Sequence, residues 1–252
     1  MIREGVCGKL KYIVYAPSII GGKPLIVVLH GSGEVGKSLA KLKKREPYIS
    51  LKNGMYRPNA VVLMPQLPKG SWGKMAAEVM NLVDTVAGRY GCDKSRISIT
   101  GHSLGGMGVI EILCKYPSYF SAGAALSCAK NYKGEMHKIA HIPMWFLYGE
   151  KEKVYGRYAR EMYAAMDKLN EEARITPIKG YGHPIQFAWC NSKYGIFEWL
   201  AHYRVGDMKN PSWGEWLTKN GIVDGNTVTA RAGEPIPETM MVALGIKKGL
   251  RP

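Results

Sequence analysis

Four residues spread along this chain are of the types that could together turn a hydroxyl into a nucleophile: a serine at 103, glutamates at 150 and 152, and a histidine at 183. A serine hydroxyl is too weakly acidic to attack an ester unaided. An imidazole must take its proton, and a carboxylate must orient that imidazole. Gly101-His102-Ser103-Leu104-Gly105 fills the G-x-S-x-G pattern of a nucleophile elbow, in which the turn between strand and helix is so tight that glycines must flank the serine. The pattern alone means little in a chain with 30 glycines. Here the apolar stretch 96–100 predicts the required strand before it, and the amphipathic stretch up to Cys114 predicts the helix after it. Such a helix aims its free N–H groups and positive dipole end at a developing oxyanion, and the Leu104 N–H is the natural first donor.

The order that accompanies an elbow is serine, then acid, then histidine. Of the six histidines, His30 and His102 lie in glycine turns, His137 and His141 come too early, and His202 sits late in the last predicted helix. His183, in Gly180-Tyr-Gly-His-Pro184 directly after the final predicted strand, is where the base should be. The acid belongs in Gly149-Glu-Lys-Glu-Lys-Val-Tyr155, after the strand before. Glu152 is the first candidate and Glu150 the second, since glutamate is an accepted third member and both occupy that loop. A second oxyanion donor is expected from the N–H of Ser32, in His30-Gly-Ser-Gly-Glu34. Trp72 and Met107 are candidates to line an acyl pocket, although large apolar residues usually belong to the core.

The same loop supports a competing reading. Gly31-Ser-Gly-Glu-Val-Gly-Lys-Ser38 satisfies G-x-x-x-x-G-K-S, with Lys37 set to reach phosphates and Ser38 to hold Mg²⁺. A nucleotide site of that kind also needs an acid closing a later apolar strand, and the strand at 61–64 runs instead into Pro65-Gln66. The hydrolytic reading uses the glycines, Ser103 and His183 together, so the P-loop is kept as the alternative. A third reading is a catalytically silent binding module, favoured only by the lack of an aspartate in the acid loop.

The elements that must position these residues alternate. Strands are predicted at 10–15, 24–30, 59–65, 96–100, 121–127, 143–148 and 173–178, and helices at 74–90, 155–172 and 191–203, besides the one that follows the elbow. Continuous apolar runs such as Pro24-Leu-Ile-Val-Val-Leu-His30 read as strands buried on both faces. The pattern predicts an α/β fold with a mostly parallel central sheet and helices on both faces, with function in loops at the strands' carboxyl ends. From about residue 204 the alternation stops. A catalytic domain at 1–203 and a C-terminal extension at 204–252, a candidate for binding a partner, are therefore expected.

Composition narrows the class. The chain has 252 residues, 46% hydrophobic and 22% charged, enough for one large domain with an appendage. Its five cysteines lack C-x-x-C spacing, so neither a disulfide framework nor a zinc site is expected. No stretch has the length of a signal peptide core or a membrane span, which points to a cytoplasmic protein. The formal charge of +15 is spread along the chain; it reads as a solvated basic face, with an anionic substrate or partner as the alternative and nucleic acid not expected.

Taken together, Leu29-His-Gly-Ser-Gly-Glu34 with Gly36, Met64-Pro-Gln66 with Trp72, the Ser103 elbow, Tyr116-Pro117 with Phe120 and Ser127, and Gly182-His183 resemble the esterase branch of the α/β-hydrolases. That branch includes feruloyl and acetyl-xylan esterases, polyhydroxybutyrate depolymerases and prolyl-oligopeptidase-like peptidases. The resemblance covers about residues 10 to 203. It implies cofactor-free acyl transfer to water through an acyl-serine, on a small-molecule or glycan-linked ester, with cleavage of short peptides as a variant. The family usually has aspartate where Glu152 stands, many relatives carry a signal peptide, and residues 204–252 lie outside the resemblance.

Overall fold

The computed structural model describes residues 1–206 and two further strands, and its folding logic starts from strands whose alternate side chains both find a core. Strands β1 (Ile2–Cys7) and β2 (Leu10–Tyr15) form a hairpin, followed by β3 (Leu25–Leu29) and a short helix α1 (Tyr48–Lys52). Then come β4 (Val61–Gln66), helix α2 (Ala76–Tyr90), β5 (Ile97–His102), helix α3 (Leu104–Lys115), β6 (Gly123–Leu126) and β7 (Met144–Gly149). Helix α4 (Lys153–Asp167), β8 (Arg174–Ile178) and helix α5 (Ile196–His202) complete the unit.

Eight strands make one sheet in the order β1-β2-β4-β3-β5-β6-β7-β8. β1 and β2 pair antiparallel, as do β2 and β4, and every later pairing is parallel. In β3 every residue is buried. Leu25, Val27 and Leu29 join the core under α2, α3 and α4, while Ile26 and Val28 join the core under α1 and α5. β7 divides the same way, with Met144 and Phe146 on one side and Trp145 and Leu147 on the other. The two-residue period of a strand thus feeds two hydrophobic layers at once, which is why these segments lack polar positions. Helix α2 buries Val79, Leu82, Val83 and Val86, one stripe at helical spacing, and ends where Gly91 adopts a left-handed φ of 58°.

The sheet is mostly parallel with helices on both faces, as the alternation predicts. Several boundaries moved. The predicted helix at 155–172 begins and ends earlier, as α4, and the predicted helix at 191–203 is shorter, as α5, preceded by a 3₁₀ segment at Gln186–Cys190. Strand β1 was not anticipated, because an edge strand with Arg3 and Glu4 facing water carries no continuous apolar run. Beyond residue 206, Gly221–Asp224 and Thr227–Ala230 pair as antiparallel strands β9 and β10. The rest of the expected extension, including Asn210-Pro-Ser-Trp-Gly-Glu-Trp-Leu217, lies outside the described residues. Among the described residues, no helix is long and apolar enough to cross a membrane.

Candidate active site

The site forms at the carboxyl ends of β3, β5, β6, β7 and β8. At the end of β5 the chain turns so sharply that Ser103 holds φ 56° and ψ −113°, a conformation an L-residue adopts only under constraint. A Cβ on Gly105 would overlap the Leu29 carbonyl of the neighbouring strand, so the helix can start this close to the sheet only with glycine there. The Ser103 N–H donates to the Leu126 carbonyl at 2.9 Å, which locks the strained turn to β6. Helix α3 begins at Leu104, and its first N–H groups have no carbonyl one turn earlier to bond.

The Ser103 Oγ lies 2.9 Å from Nε2 of His183, in the loop after β8, and Nδ1 of His183 lies 2.5 Å from Oε1 of Glu152, just before α4. A carboxylate beside Nδ1 keeps the proton there, so the Nε2 lone pair faces the serine hydroxyl. The other Glu152 oxygen accepts from the Ser127 hydroxyl at 2.5 Å and from the Gly149 N–H at 3.1 Å. Burial pushes the Glu152 carboxyl up, but the hydrogen bonds from His183, Ser127 and Gly149 outweigh it, and the net shift is downward. Ser127 itself is held at φ 44°, among the described residues the other positive-φ residue besides Ser103 that is not a glycine.

Glu150, the second candidate, is exposed and accepts from the Gly180 N–H at 2.8 Å. It ties down the turn before His183 instead of touching the imidazole.

The loop after β3 is braced from below. Nδ1 of the buried His30 donates to the Gly31 carbonyl at 2.7 Å, and its Nε2 accepts from the Leu67 N–H at 2.9 Å. Burial depresses the His30 pKa, which keeps it in this neutral form. The Gln66 amide donates to the Glu34 carbonyl at 2.7 Å, and buried Glu34 pairs with Arg45 at 3.0 Å. Ser32 is exposed at the start of a 3₁₀ turn (Ser32–Glu34).

Two sequence expectations need correction. Trp72 has no exposed surface: its indole N–H donates to the His30 carbonyl at 3.0 Å and its ring packs edge-on against His30. It is a strut under the glycine loop and cannot line an acyl pocket. Met107, by contrast, is half-buried one turn into α3. The P-loop reading fails on geometry, because Gly31–Ser38 leads into no α-helix before the five-residue α1, only into short 3₁₀ turns, and Lys37 and Ser38 are both exposed. Phosphates would find no helix N-terminus there.

Sequence reasoning gave no role to His102. It is buried, and its Nε2–H donates to the His183 carbonyl at 2.7 Å, so the elbow strand holds the base loop directly. Burial drives its pKa down to about 4. The only signal in the sequence was its place beside the serine.

Residues 78–197 match the family model named Esterase. No curated protein matches the chain. Among solved structures the chain is similar to a thermostable esterase, at 20% identity and TM-score 0.64, over 81% of this chain and 63% of that one. It is also similar to an acetyl xylan esterase from Aspergillus awamori, at 14% identity and TM-score 0.57, over 79% and 98% of the two chains. A feruloyl esterase module from Clostridium thermocellum, complexed with sinapinate, aligns at 14% identity and TM-score 0.60 over 81% and 87%. With the strand order above and these similar structures, the chain has the α/β-hydrolase fold, and its residues from within α2 to the start of α5 match the Esterase family model.

Proposed function

We propose that the protein is a serine hydrolase of carboxylic esters working through an acyl-serine, with Ser103 as nucleophile, His183 as base and then acid, and Glu152 as the orienting carboxylate. The observation that carries this reading is the unbroken hydrogen-bonded series from Ser103 Oγ through both nitrogens of His183 to Glu152. As Ser103 Oγ bonds to the ester carbonyl carbon, Nε2 of His183 takes its proton. Glu152 stabilises the imidazolium, and the Ser32 and Leu104 N–H groups receive the oxyanion. Collapse of the tetrahedral species expels the alcohol, which leaves with the proton from Nε2. Water, deprotonated by His183, then releases the carboxylic acid and restores the serine.

The acyl decoration of a carbohydrate is the substrate class we favour, because the similar structures include an acetyl xylan esterase and a feruloyl esterase. The test is fluorophosphonate labelling of wild type and Ser103→Ala, alongside hydrolysis of 4-nitrophenyl acetate. Labelling and turnover by wild type alone support the mechanism. A wild type that does neither would sink it.

A further inference from the structure

Helix α3 flanks a cleft of about 580 Å³ with no role in the mechanism above. Three of the segments that wall it lie on or pack around helix α3, which starts at the nucleophile. The first is Ser71, Gly73 and Lys74, next to the Trp72 strut; the second is Glu111, Cys114 and Lys115 on α3, the helix that Ser103 starts. The third is Lys130 to Tyr132, which follows Cys128, whose Cα a Cβ on Gly106 would meet at 3.1 Å. The cleft's lining residues on α3, Glu111 to Lys115, lie about 12 to 18 Å along the helix from Ser103 at the usual rise per residue.

The lining holds four lysines against two glutamates. Both glutamates are already engaged. Glu111 accepts from the Gly73 N–H at 3.0 Å and from the Tyr132 hydroxyl at 2.6 Å, and Glu135 pairs with Lys138 at 2.8 Å. Lys115 donates to the Gly73 carbonyl at 2.6 Å, which fixes its amine in the wall and leaves further protons to donate. Lys74 and Lys130 are exposed, and Lys130 is steadied over the Tyr132 ring at 4.9 Å. Lys74, Lys115 and Lys130 form no ion pair among the described residues. A concave wall concentrates the field of such amines, and with Lys138 set against Glu135 the other three amines outnumber the single Glu111 carboxylate, so the cleft carries a net positive charge.

We propose that this cleft binds an anionic group, a carboxylate, sulfate or phosphate, that the substrate carries about 10 Å or more from the ester presented to Ser103, within reach of the long lysine side chains. The proposal rests on the serine-esterase reading and narrows it to esters of acidic molecules.

The experiment compares 4-nitrophenyl octanoate with the mono-4-nitrophenyl ester of suberic acid, matched in leaving group and chain length and differing in a terminal carboxylate. Wild type is expected to favour the suberate ester in kcat/KM by about five-fold or more, with the preference fading at high salt. Lys74→Ala/Lys130→Ala should bring the ratio near one, and Lys130→Glu should invert it, while Lys168→Ala, remote from the cleft, should leave it alone. Free suberate is titrated in parallel into Ser103→Ala with and without the two lysine substitutions. Lysine-dependent suberate binding by a protein that hydrolyses no ester would keep the anion site and remove the esterase reading. Ester hydrolysis with a ratio near one in wild type and no lysine-dependent binding would overturn the anion site and leave the esterase reading in place.

Discussion

Ser127, at the end of β6, donates its hydroxyl to Oε2 of Glu152 at 2.5 Å, so the carboxylate is gripped on one oxygen and offers the other to His183. A residue held at φ 44° is strained, and strain of this kind persists only where the surroundings fix it. Ser127 therefore acts as a positioning residue. Ser127→Ala and Ser127→Gly both remove the donor, but only the glycine relieves the backbone. Both should lower kcat about ten-fold with little change in KM, since the lost bond is to an ionised carboxylate. Steady-state kinetics checks this, and a glycine variant with full kcat would show that the hydroxyl does nothing.

Replacing Glu152 separates it from Glu150. Glu152→Gln should cut kcat by about 10³- to 10⁴-fold, because the amide cannot stabilise the imidazolium. Glu150→Gln removes only the charge of the group that accepts from the Gly180 N–H, since the amide oxygen can still accept, and should stay within about three-fold. Equal losses in 4-nitrophenyl acetate hydrolysis would mean that the carboxylate at 152 has no special role.

Stability should depend on acid in two stages. The folded pKa of His102, about 4, lies below its ordinary 6.5, so between those values the unfolded chain binds the extra proton. Stability then falls as pH drops from 6.5 towards 4, by about 3 kcal/mol at most, and levels off for this residue below that. Glu152 adds a second loss. Its folded pKa is lowered, so its contribution is full above 4.5 and disappears as pH falls through the folded value. Urea unfolding at pH 7, 5 and 3.5 should show both stages, with His102→Gln reducing the upper one, to which buried His30 and His141 also contribute, and Glu152→Gln reducing the lower.

Gly105 and Gly88 should respond oppositely to alanine. At Gly105 the new Cβ overlaps the Leu29 carbonyl, a backbone atom that cannot step aside. A loss of about 3 kcal/mol or more, or roughly 10 °C in Tm, is expected. At Gly88, inside α2, a Cβ meets nothing within 4 Å, and the helix should gain up to about 1 kcal/mol. Thermal melts of the two variants decide it.

The sequence by itself determined the fold class and two of the three members of the hydrogen-bonded series. Ser103 was legible because a nucleophile elbow is local: strand, glycines and helix are contiguous. His183 followed from chain order and from its loop after the last strand. The β3 and β7 strands were readable because burial on both faces removes polar residues from consecutive positions. What the sequence left open were contacts between distant segments. Glu150 and Glu152 share one loop and one side-chain type, and only the approach of the β8 loop to the start of α4 sends one to Gly180 and the other to His183. Trp72 reads alike as pocket or core until β3 and α3 close over it. Ser127 and His102 serve the site through partners 25 and 81 residues away. Local propensity is written residue by residue, but hydrogen bonds across a parallel sheet depend on which strand ends become neighbours, and tertiary packing alone decides that.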